Sequence, residues 1–301
     1  MPAIRSMFPT LRLSDIASSH FLHLPTVLTL FDDILQKSKY MPQNYWKGGD
    51  AEGLVEWQDG VKVPQQTESF CATQSVKLVR PKEVENLGKY IIENHNMPLV
   101  SQLNLQKVGG SSLTWAHSIA LQVEGGLNTI AVGQRTFIRC DSQTHRPLKF
   151  RDEEREVLER LRTLSTSFEC DETDELVEGL RAYVESGGGS ARGLDFSDSN
   201  VRALEERVIS ASDLNFGDHV DHAALASLTT SGLVENDLKG SRPTLATFNY
   251  LSPGMIGETT KICRLLDGNE KAVDCVVKGG GGRVVVHGHF RDFEDFEFDM
   301  G

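Results

Sequence analysis

Apolar residues near the start of the chain recur at a helical spacing. Leu24, Leu28, Phe31 and Leu35 stand at i, i+4, i+7 and i+11 within the stretch 21–36. This spacing places all four side chains on one face of a helix. The pattern therefore predicts an amphipathic helix that buries one side.

A similar arrangement returns in the C-terminal half. Leu225, Leu228 and Leu233 predict a second apolar stripe within the stretch 220–233. Strand candidates follow each helix, and residues 102–109 align with residues 247–254. Two more candidates come after each aligned segment: Leu113–Gln122 and Thr129–Cys140 in the first half, Thr259–Leu266 and Arg283–Arg291 in the second. The period is far too long for a solenoid, so we interpret the chain as two copies of one domain.

The repeats and the composition between them give the predicted domain boundaries. Residues 1–163 form an N-terminal domain that ends in a charged helix and contains an insertion at about 40–75, where Pro and Gly are frequent. Residues 201–298 form the C-terminal domain. The segment 164–200 between them is rich in Ser, Gly, Asp and Glu, which is typical of a flexible linker.

Composition and charge exclude some classes of function. The chain has 301 residues, a length that suits two domains, and a formal net charge of −12. Nucleic-acid binding is not expected, because it depends on a basic surface. No run approaches the roughly 20 apolar residues of a membrane span. The five cysteines are odd in number and form no CxxC pair, so we expect reduced thiols in an intracellular, cytoplasmic protein, with organelle targeting left open.

The densest group of potentially catalytic side chains lies in Ser212–Leu225. Asp213, His219, Asp221 and His222 fall within ten residues, where a β-rich run gives way to the second apolar helix. The first N–H groups of a helix lack intrahelical partners and carry partial positive charge, so they can stabilise a developing oxyanion. Farther along, Phe248–Thr259 predicts a strand, a turn and a second strand.

This order of elements resembles the hotdog-fold acyl thioesterases, the 4-hydroxybenzoyl-CoA thioesterase and acyl-ACP thioesterase type. In that family a strand runs through Asp-x-Asp/Asn and a His-Val-Asn-Asn-like turn into a helix. The end of the first half, Ala131–Asp141 followed by Thr144-His145-Arg146-Pro147, is also similar to the end of a hotdog unit. The resemblance implies an α+β double hotdog, with two long helices each wrapped by a curved antiparallel sheet. It also implies hydrolysis of an acyl thioester.

The resemblance implies roles for individual residues. Asp213 matches the first Asp of the family motif and would be base or nucleophile, Asn215 would bind the thioester carbonyl or position water, and His219 would orient or shuttle a proton. Because Asp221 and His222 stand where the family has paired amides, the identity of the base stays open between Asp213 and Asp221. The further substrate-binding candidates are Gly217, His222, Thr229 and Asn249. Thr229 and Thr230 replace a Glu that the family helix often carries.

The first half departs further from the family motif. Asp15 and His20 survive, but Ala17-Ser18-Ser19 replaces the Asn-containing stretch. We therefore expect the first half to bind substrate rather than cleave it.

Several other interpretations remain open. Asp213 and Asp221 are also residue types that cap helices and form turns. Asp213-Leu214-Asn215 and His219-Val220-Asp221 partly fit an R-specific enoyl-CoA hydratase, and a non-catalytic acyl-CoA-binding protein is a third hypothesis. His287 and His289 share one face of a strand but have no evident third ligand, so neither a metal nor a cofactor is expected. The expected partner is an acyl-CoA or acyl carrier protein substrate, and a homodimer is possible for a hotdog protein.

Overall fold

The architecture was obtained as a computed structural model. It describes residues 4–8, 24–31, 67–80, 87, 90, 99–123, 126–141, 143–164, 168, 171–214, 220–233, 241–266 and 272–295. Ten strands in these ranges form a single sheet in which every neighbouring pair is antiparallel. The strands are β1 (Ile4–Phe8), β2 (Thr67–Leu78), β3 (Leu99–Val108), β4 (Ser112–Val123), β5 (Gly126–Asp141), β6 (Val201–Val208), β7 (Ser241–Tyr250), β8 (Thr259–Leu265), β9 (Ala272–Lys278) and β10 (Val284–Asp295).

The sheet contains the same strand order twice. Its order is β1-β3-β4-β5-β2-β7-β10-β9-β8-β6, so each half, read from its outer edge inwards, runs first strand, third, fourth, fifth, second. The halves meet where β2 pairs with β7, from Thr73 opposite Asn249 to Lys77 opposite Leu245. We call this β2–β7 junction the seam.

The strand order corrects the internal alignment expected from sequence. The sequence pattern aligns residues 247–254 with residues 102–109, which belong to β3, but the sheet makes β2 the counterpart of β7. The alignment was wrong by one strand because β2 begins at Thr67, inside the stretch 40–75 taken as an insertion. The strands predicted at Leu113–Gln122, Thr129–Cys140, Thr259–Leu266 and Arg283–Arg291 are confirmed as β4, β5, β8 and β10.

The predicted apolar stripes lie on helices that face the sheet, except that Leu233 follows the end of its helix and is nevertheless buried. The described part of α1 covers residues 24–31, where Leu24, Leu28 and Phe31 are buried; Leu35 lies outside the described residues. Leu225 and Leu228 are buried on α4 (His222–Ser231). With ten residues, α4 is only about 15 Å long, so the long helix expected in the second half is not confirmed.

The end of α4 explains its length. The hydroxyls of Thr229, Thr230 and Ser231 each donate to the carbonyl three residues earlier, and Gly232 follows. Such side-chain bonds to the backbone compete with continued helix formation. The helix therefore ends where its sequence turns to Ser, Thr and Gly.

The helices α1 and α4 each pass over a glycine of the sheet. A Cβ at Gly133 on β5 would overlap the ring of Phe31 from α1. A Cβ at Gly288 on β10 would lie 2.7 Å from Thr229 Oγ1 of α4. In both halves a glycine lets the helix approach the sheet closely.

Of two further helices, the first packs on the same face as α1 and the second covers the opposite face, which we call the outer face of the sheet. Leu158 on α2 (Asp152–Leu164) packs on Leu105 and Val108, while buried Glu154 bonds Arg139 at 2.7 Å. Val177 and Leu180 on α3 (Asp171–Glu185) pack with buried Ala116, Val132 and Leu245.

These contacts correct the flexible linker predicted for 164–200. Residues 171–185 form α3, and Phe196 farther along packs on the cluster of Cys263, Leu265 and Val276. Apolar side chains on the outer face need cover, and this segment supplies it. Among the described residues no helix is long and apolar enough to cross a membrane.

Candidate functional site

The two described ends of the Asp213–Asp221 motif meet at the start of α4. The Asp221 amide donates to the Asp213 carbonyl oxygen at 2.7 Å, and Leu214 pairs with Val220 in an isolated antiparallel bridge. The Asp221 carboxylate caps the helix by accepting from the Ala223 amide at 3.1 Å. Asn215, Gly217 and His219 lie between these anchors and outside the described residues.

The Asp213 carboxylate is held by its own neighbours. It accepts hydrogen bonds from Arg207 Nη2 at 3.0 Å, from the Ser210 amide at 2.8 Å and from Ser210 Oγ at 3.0 Å. Only 8% of the residue is exposed. These contacts are those of a capping and ion-pairing residue, so the geometry favours the structural interpretation of Asp213. Its predicted role as base stays a prediction.

His222, the first residue of α4, reaches across the seam into the first half. Its Nε2 accepts the Cys71 amide of β2 at 3.3 Å, which places the proton of the neutral ring on Nδ1. The ring meets the rings of Phe137 on β5 and Tyr250 on β7 edge-on, with centroids 6.4 and 5.1 Å away. The helix start is therefore enclosed by residues of both halves.

Tyr250 links the helix start to the first half. Its hydroxyl lies 3.0 Å from Gln74 Oε1 and 3.1 Å from the His222 carbonyl oxygen, two acceptors for one hydrogen. Turning the Gln74 amide over would put an N–H donor on Tyr250, which could then donate to His222. In that arrangement a continuous chain of hydrogen bonds joins β2, β7 and the first residue of α4.

Three buried polar residues lie under α1 beside this site. His117 on β4, Arg135 on β5 and Gln74 on β2 are each fully buried, and the Phe31 ring lies 4.8 Å from the His117 ring. Burial and, second, the charge of Arg135 hold the pKa of His117 well below its usual value, so the ring is neutral. Neither His117 nitrogen has a hydrogen-bond partner in the described part of the chain. An unpaired buried polar group costs about 1–3 kcal/mol, so this cluster is expensive for the fold.

Asn249, a predicted substrate-binding residue, lies on the outer face. Its Nδ2 donates to the Gly189 carbonyl oxygen at 2.8 Å and lies 3.1 Å from His287 Nδ1. Its strand neighbours Phe248 and Tyr250 face the helices, as alternation requires. The geometry therefore gives no support to a substrate contact by Asn249 at the start of α4.

His287 and His289, considered above as a metal pair, share a carboxylate instead. His287 Nε2 and His289 Nδ1 lie 2.7 and 2.8 Å from the same Asp274 Oδ1. Burial would raise the pKa of Asp274, but the hydrogen bonds from His287 and His289 outweigh it and lower that pKa. Within the described ranges no group of three or more His, Cys, Asp or Glu side chains is arranged to hold a metal.

Thr229, the remaining candidate, lies two turns into α4. Its hydroxyl donates to the Ala226 carbonyl oxygen at 2.7 Å, and the residue is fully buried above Gly288. The structure thus brings together Asp221 and His222, with Asp213 nearby, and separates Thr229 and Asn249 from them.

Sequence reasoning missed the part of the site that the first half supplies. Cys71, Gln74 and Phe137 contact His222 or Tyr250 across the seam. Cys71 falls in the supposed insertion and Gln74 at its end. The only local signal was alternation in Phe248-Asn249-Tyr250, which puts Tyr250 on the opposite face from Asn249.

Comparison with known proteins identifies the fold. No protein-family model and no curated protein sequence matches the chain. Solved structures do: a 12:0-ACP thioesterase from Umbellularia californica has a TM-score of 0.63 at 11% identity, with 97% of each chain covered. An acyl-ACP thioesterase from Bacteroides thetaiotaomicron has a TM-score of 0.57 at 11% identity, again over 97% of each chain. Over 97% of its length this chain is similar in fold to these acyl-ACP thioesterases, and it has the hotdog fold.

Proposed function

We propose that this protein hydrolyses acyl thioesters to a free fatty acid and a thiol. The observation that carries the proposal is the likeness of fold to two acyl-ACP thioesterases over 97% of both chains. A fold alone does not establish a reaction, so the residues at the seam must supply the chemistry. We place the reacting thioester at the start of α4.

The start of α4 suits the transition state of this reaction. Water adds to the thioester carbonyl, the oxygen becomes negative, and the C–S bond then breaks with a proton delivered to the sulfur. The positive end of the α4 dipole favours the negative oxygen. The Tyr250 hydroxyl lies 3.1 Å from the His222 carbonyl oxygen, so its ring and hydroxyl would border this position. His222 would form one wall of the site.

Asp221 is our candidate for the general base. Asp213 is committed to Arg207 and Ser210, whereas Asp221 stands at the helix start itself. His219 would shuttle the proton, while Asn215 and Gly217 would contact the thioester. Removing a general base lowers the rate by about 10²–10⁴-fold.

The finer assignments belong to the same proposal. The two hotdog domains would be residues 1–163 and 201–298, with the helix and strands of the first half forming the acyl-binding part. The thiol carrier would be CoA or acyl carrier protein, and the protein would serve lipid metabolism in the cytoplasm. A homodimer of double hotdogs would be the further assembly.

The test is thiol release from acyl-CoAs and acyl carrier protein thioesters of short, medium and long chain. We expect turnover with an optimum of chain length. Asp221→Asn should lower the rate by about 10²–10⁴-fold without a large loss of stability, since Asn is as good a helix cap as Asp. Asp213→Asn is the matched variant, because it makes the same change of charge where the carboxylate is already paired. The Asp213→Asn substitution should lower the free energy of unfolding but have little effect on the rate of hydrolysis.

Different outcomes would contradict different parts of the proposal. Loss of turnover in Asp213→Asn, with Asp221→Asn active and both folded, would return the base to Asp213. No thiol release from any thioester would overturn the proposed function. Hydration of enoyl-CoA by the same preparation would then identify the protein as a hydratase. Tight binding of acyl-CoA without any turnover would identify it as a non-catalytic acyl-CoA-binding protein.

A further inference from the structure

The repeat provides an internal comparison between the two halves. Gly133 on β5 and Gly288 on β10 occupy the same place, each beneath the helix of its half and on the fourth strand from its outer edge. The register around them is also the same. Gly133 pairs with His117 and Val76, and Gly288 pairs with Cys275 and Phe248.

Three equivalent positions differ sharply in polarity. His117 corresponds to Cys275, because His117 pairs with Gly133 and Cys275 pairs with Gly288. Arg135 lies two residues after Gly133, and Phe290 lies two residues after Gly288. Their partners on the seam strands are Gln74 and Ala246. All six residues are buried, yet the first half carries His, Arg and Gln where the second carries Cys, Phe and Ala.

The second half shows that the fold does not require this polar cluster. Its apolar residues fill the same positions under α4 at no cost of buried charge. In the first half, by contrast, Arg135 is a permanent cation with no exposed surface, and both nitrogens of His117 are unpaired among the described residues. Buried polar groups that the architecture does not need call for a functional explanation.

The polar cluster is continuous with the candidate thioester site. Gln74 meets the Tyr250 hydroxyl at 3.0 Å, and the Arg135 guanidinium lies 5.2 Å from the Phe137 ring, which itself contacts His222. From Gln74 on β2 to His117 on β4 the cluster spans two strand spacings, about 10 Å. An acyl chain that enters the first half from the seam would pass Gln74 and Arg135 and end near His117.

We infer that the first half binds acyl chains whose distal end carries an oxygen group, a hydroxyl or a carboxylate, which His117 and Arg135 contact. This inference rests on the proposed function, because it takes the seam as the thioester end. Neutral His117 can donate from one nitrogen and accept at the other, and Arg135 supplies only donors. A terminal methyl group would leave both nitrogens of His117 unpaired.

Calorimetric titration of the full-length protein tests the inference without requiring turnover. The ligands are non-hydrolysable CoA thioethers with octyl, decyl and dodecyl chains, and the same thioethers with a terminal hydroxyl or carboxylate. The CoA group fixes which end of the chain lies at the seam. We expect at least one oxygenated series to bind at least about tenfold more tightly than the plain thioethers. A preference for the hydroxyl series would identify the hydroxyl, and a preference for the carboxylate series the carboxylate.

Variants that copy the second half provide the controls. His117→Cys and Arg135→Phe introduce the residues found at the equivalent positions, and each should lose the preference for oxygenated ligands. Cys275→Ala, at the position equivalent to His117 in the other half, should retain it. Far-UV circular dichroism and the urea midpoint identify any variant that fails to fold. If one of the two test variants is unfolded, the ligand preference of the other tests the inference.

The results separate the inference from the proposed function. Plain thioethers that bind as tightly as oxygenated ones, or no binding of any ligand, would overturn the inference even if acyl-CoA is hydrolysed. A preference retained in the folded His117→Cys and Arg135→Phe proteins would also overturn it. If the preference is found and no thioester is hydrolysed, the proposed function fails while the ligand class stands.

Discussion

The buried residue Asp274 holds together a group of hydrogen bonds on the outer face of the sheet. A single oxygen accepts from His287 and His289, and Asn249 connects His287 to the backbone of Gly189. Burial opposes ionisation, but these hydrogen bonds favour it more strongly and lower the pKa of Asp274. The carboxylate is therefore a charged anchor between β9, β10 and the segment that follows α3.

The lowered pKa predicts how stability depends on pH. In the unfolded chain an Asp has a pKa of about 3.9, so the charged Asp274 contributes its full stabilisation above that pH. The contribution is lost as the pH falls below it towards the folded-state pKa. At neutral pH we expect Asp274→Asn to lower the free energy of unfolding by about 1–3 kcal/mol. This difference in free energy between wild type and variant should shrink below a pH of about 4.

Urea titrations from neutral pH down to about pH 2 measure this difference. Asp292→Asn makes the same change of charge at a half-exposed residue paired with Arg291, and should behave like wild type. A difference between wild type and Asp274→Asn that stays constant over the whole range would contradict the assignment.

At the scale of elements, the contact between helix and sheet depends on one small residue in each half. Phe31 of α1 lies directly on Gly133, and Thr229 of α4 on Gly288. In a densely packed interior there is no spare volume for an added methyl group at these positions. The glycines thus set how closely each helix sits on its sheet.

We predict that Gly133→Ala destabilises the protein by about 1–3 kcal/mol, because its Cβ would overlap the Phe31 ring. Gly110→Ala is the matched control, since nothing lies within 4 Å of its Cβ. Free energies of unfolding in urea measure both. Phe31→Leu should offset part of the Gly133→Ala effect in the double variant. Additive effects of the two substitutions would show that they do not share the contact.

At the scale of the whole molecule, the two halves share one sheet and one core. Strands β2 and β7 pair at the seam, and a single buried apolar cluster includes Leu28 and Val76 from the first half with Leu225 and Phe248 from the second. Unfolding one half would expose the seam surface of the other. The halves should therefore unfold together.

The distribution of tryptophan allows this coupling to be measured. Trp46, Trp57 and Trp115 all belong to the first half, so tryptophan fluorescence reports on that half while far-UV circular dichroism reports on the whole sheet. Gly288→Ala alters only the second half, where its Cβ would lie 2.7 Å from Thr229 Oγ1. We expect the fluorescence and dichroism midpoints to fall together. An unchanged fluorescence midpoint would mean that the halves unfold separately.

Local periodicity was enough to predict several helices and strands of this protein, though not all of them. The spacing of Leu24, Leu28 and Phe31 and that of Leu225 and Leu228 predicted the buried stripes of α1 and α4, because a helix brings such positions together within its own sequence. The motif at Asp213–His222 and the strands after α4 indicated the hotdog fold. The helix α3 was missed because its Ser- and Gly-rich surroundings suggested a linker, although Val177 and Leu180 are buried.

The surroundings of the candidate site depend on contacts between residues that lie far apart in the chain. Cys71 and Gln74 meet His222 and Tyr250 across separations of 151 and 176 residues, which no local pattern can encode. A register shift in the β2–β5 pairing between Cys71 and Thr73 lets both Cys71 and Gln74 face the helices, although their positions differ in parity. One extra residue in a strand reverses which side chains face inwards beyond it, so the composition of the site depends on strand pairing rather than on sequence spacing.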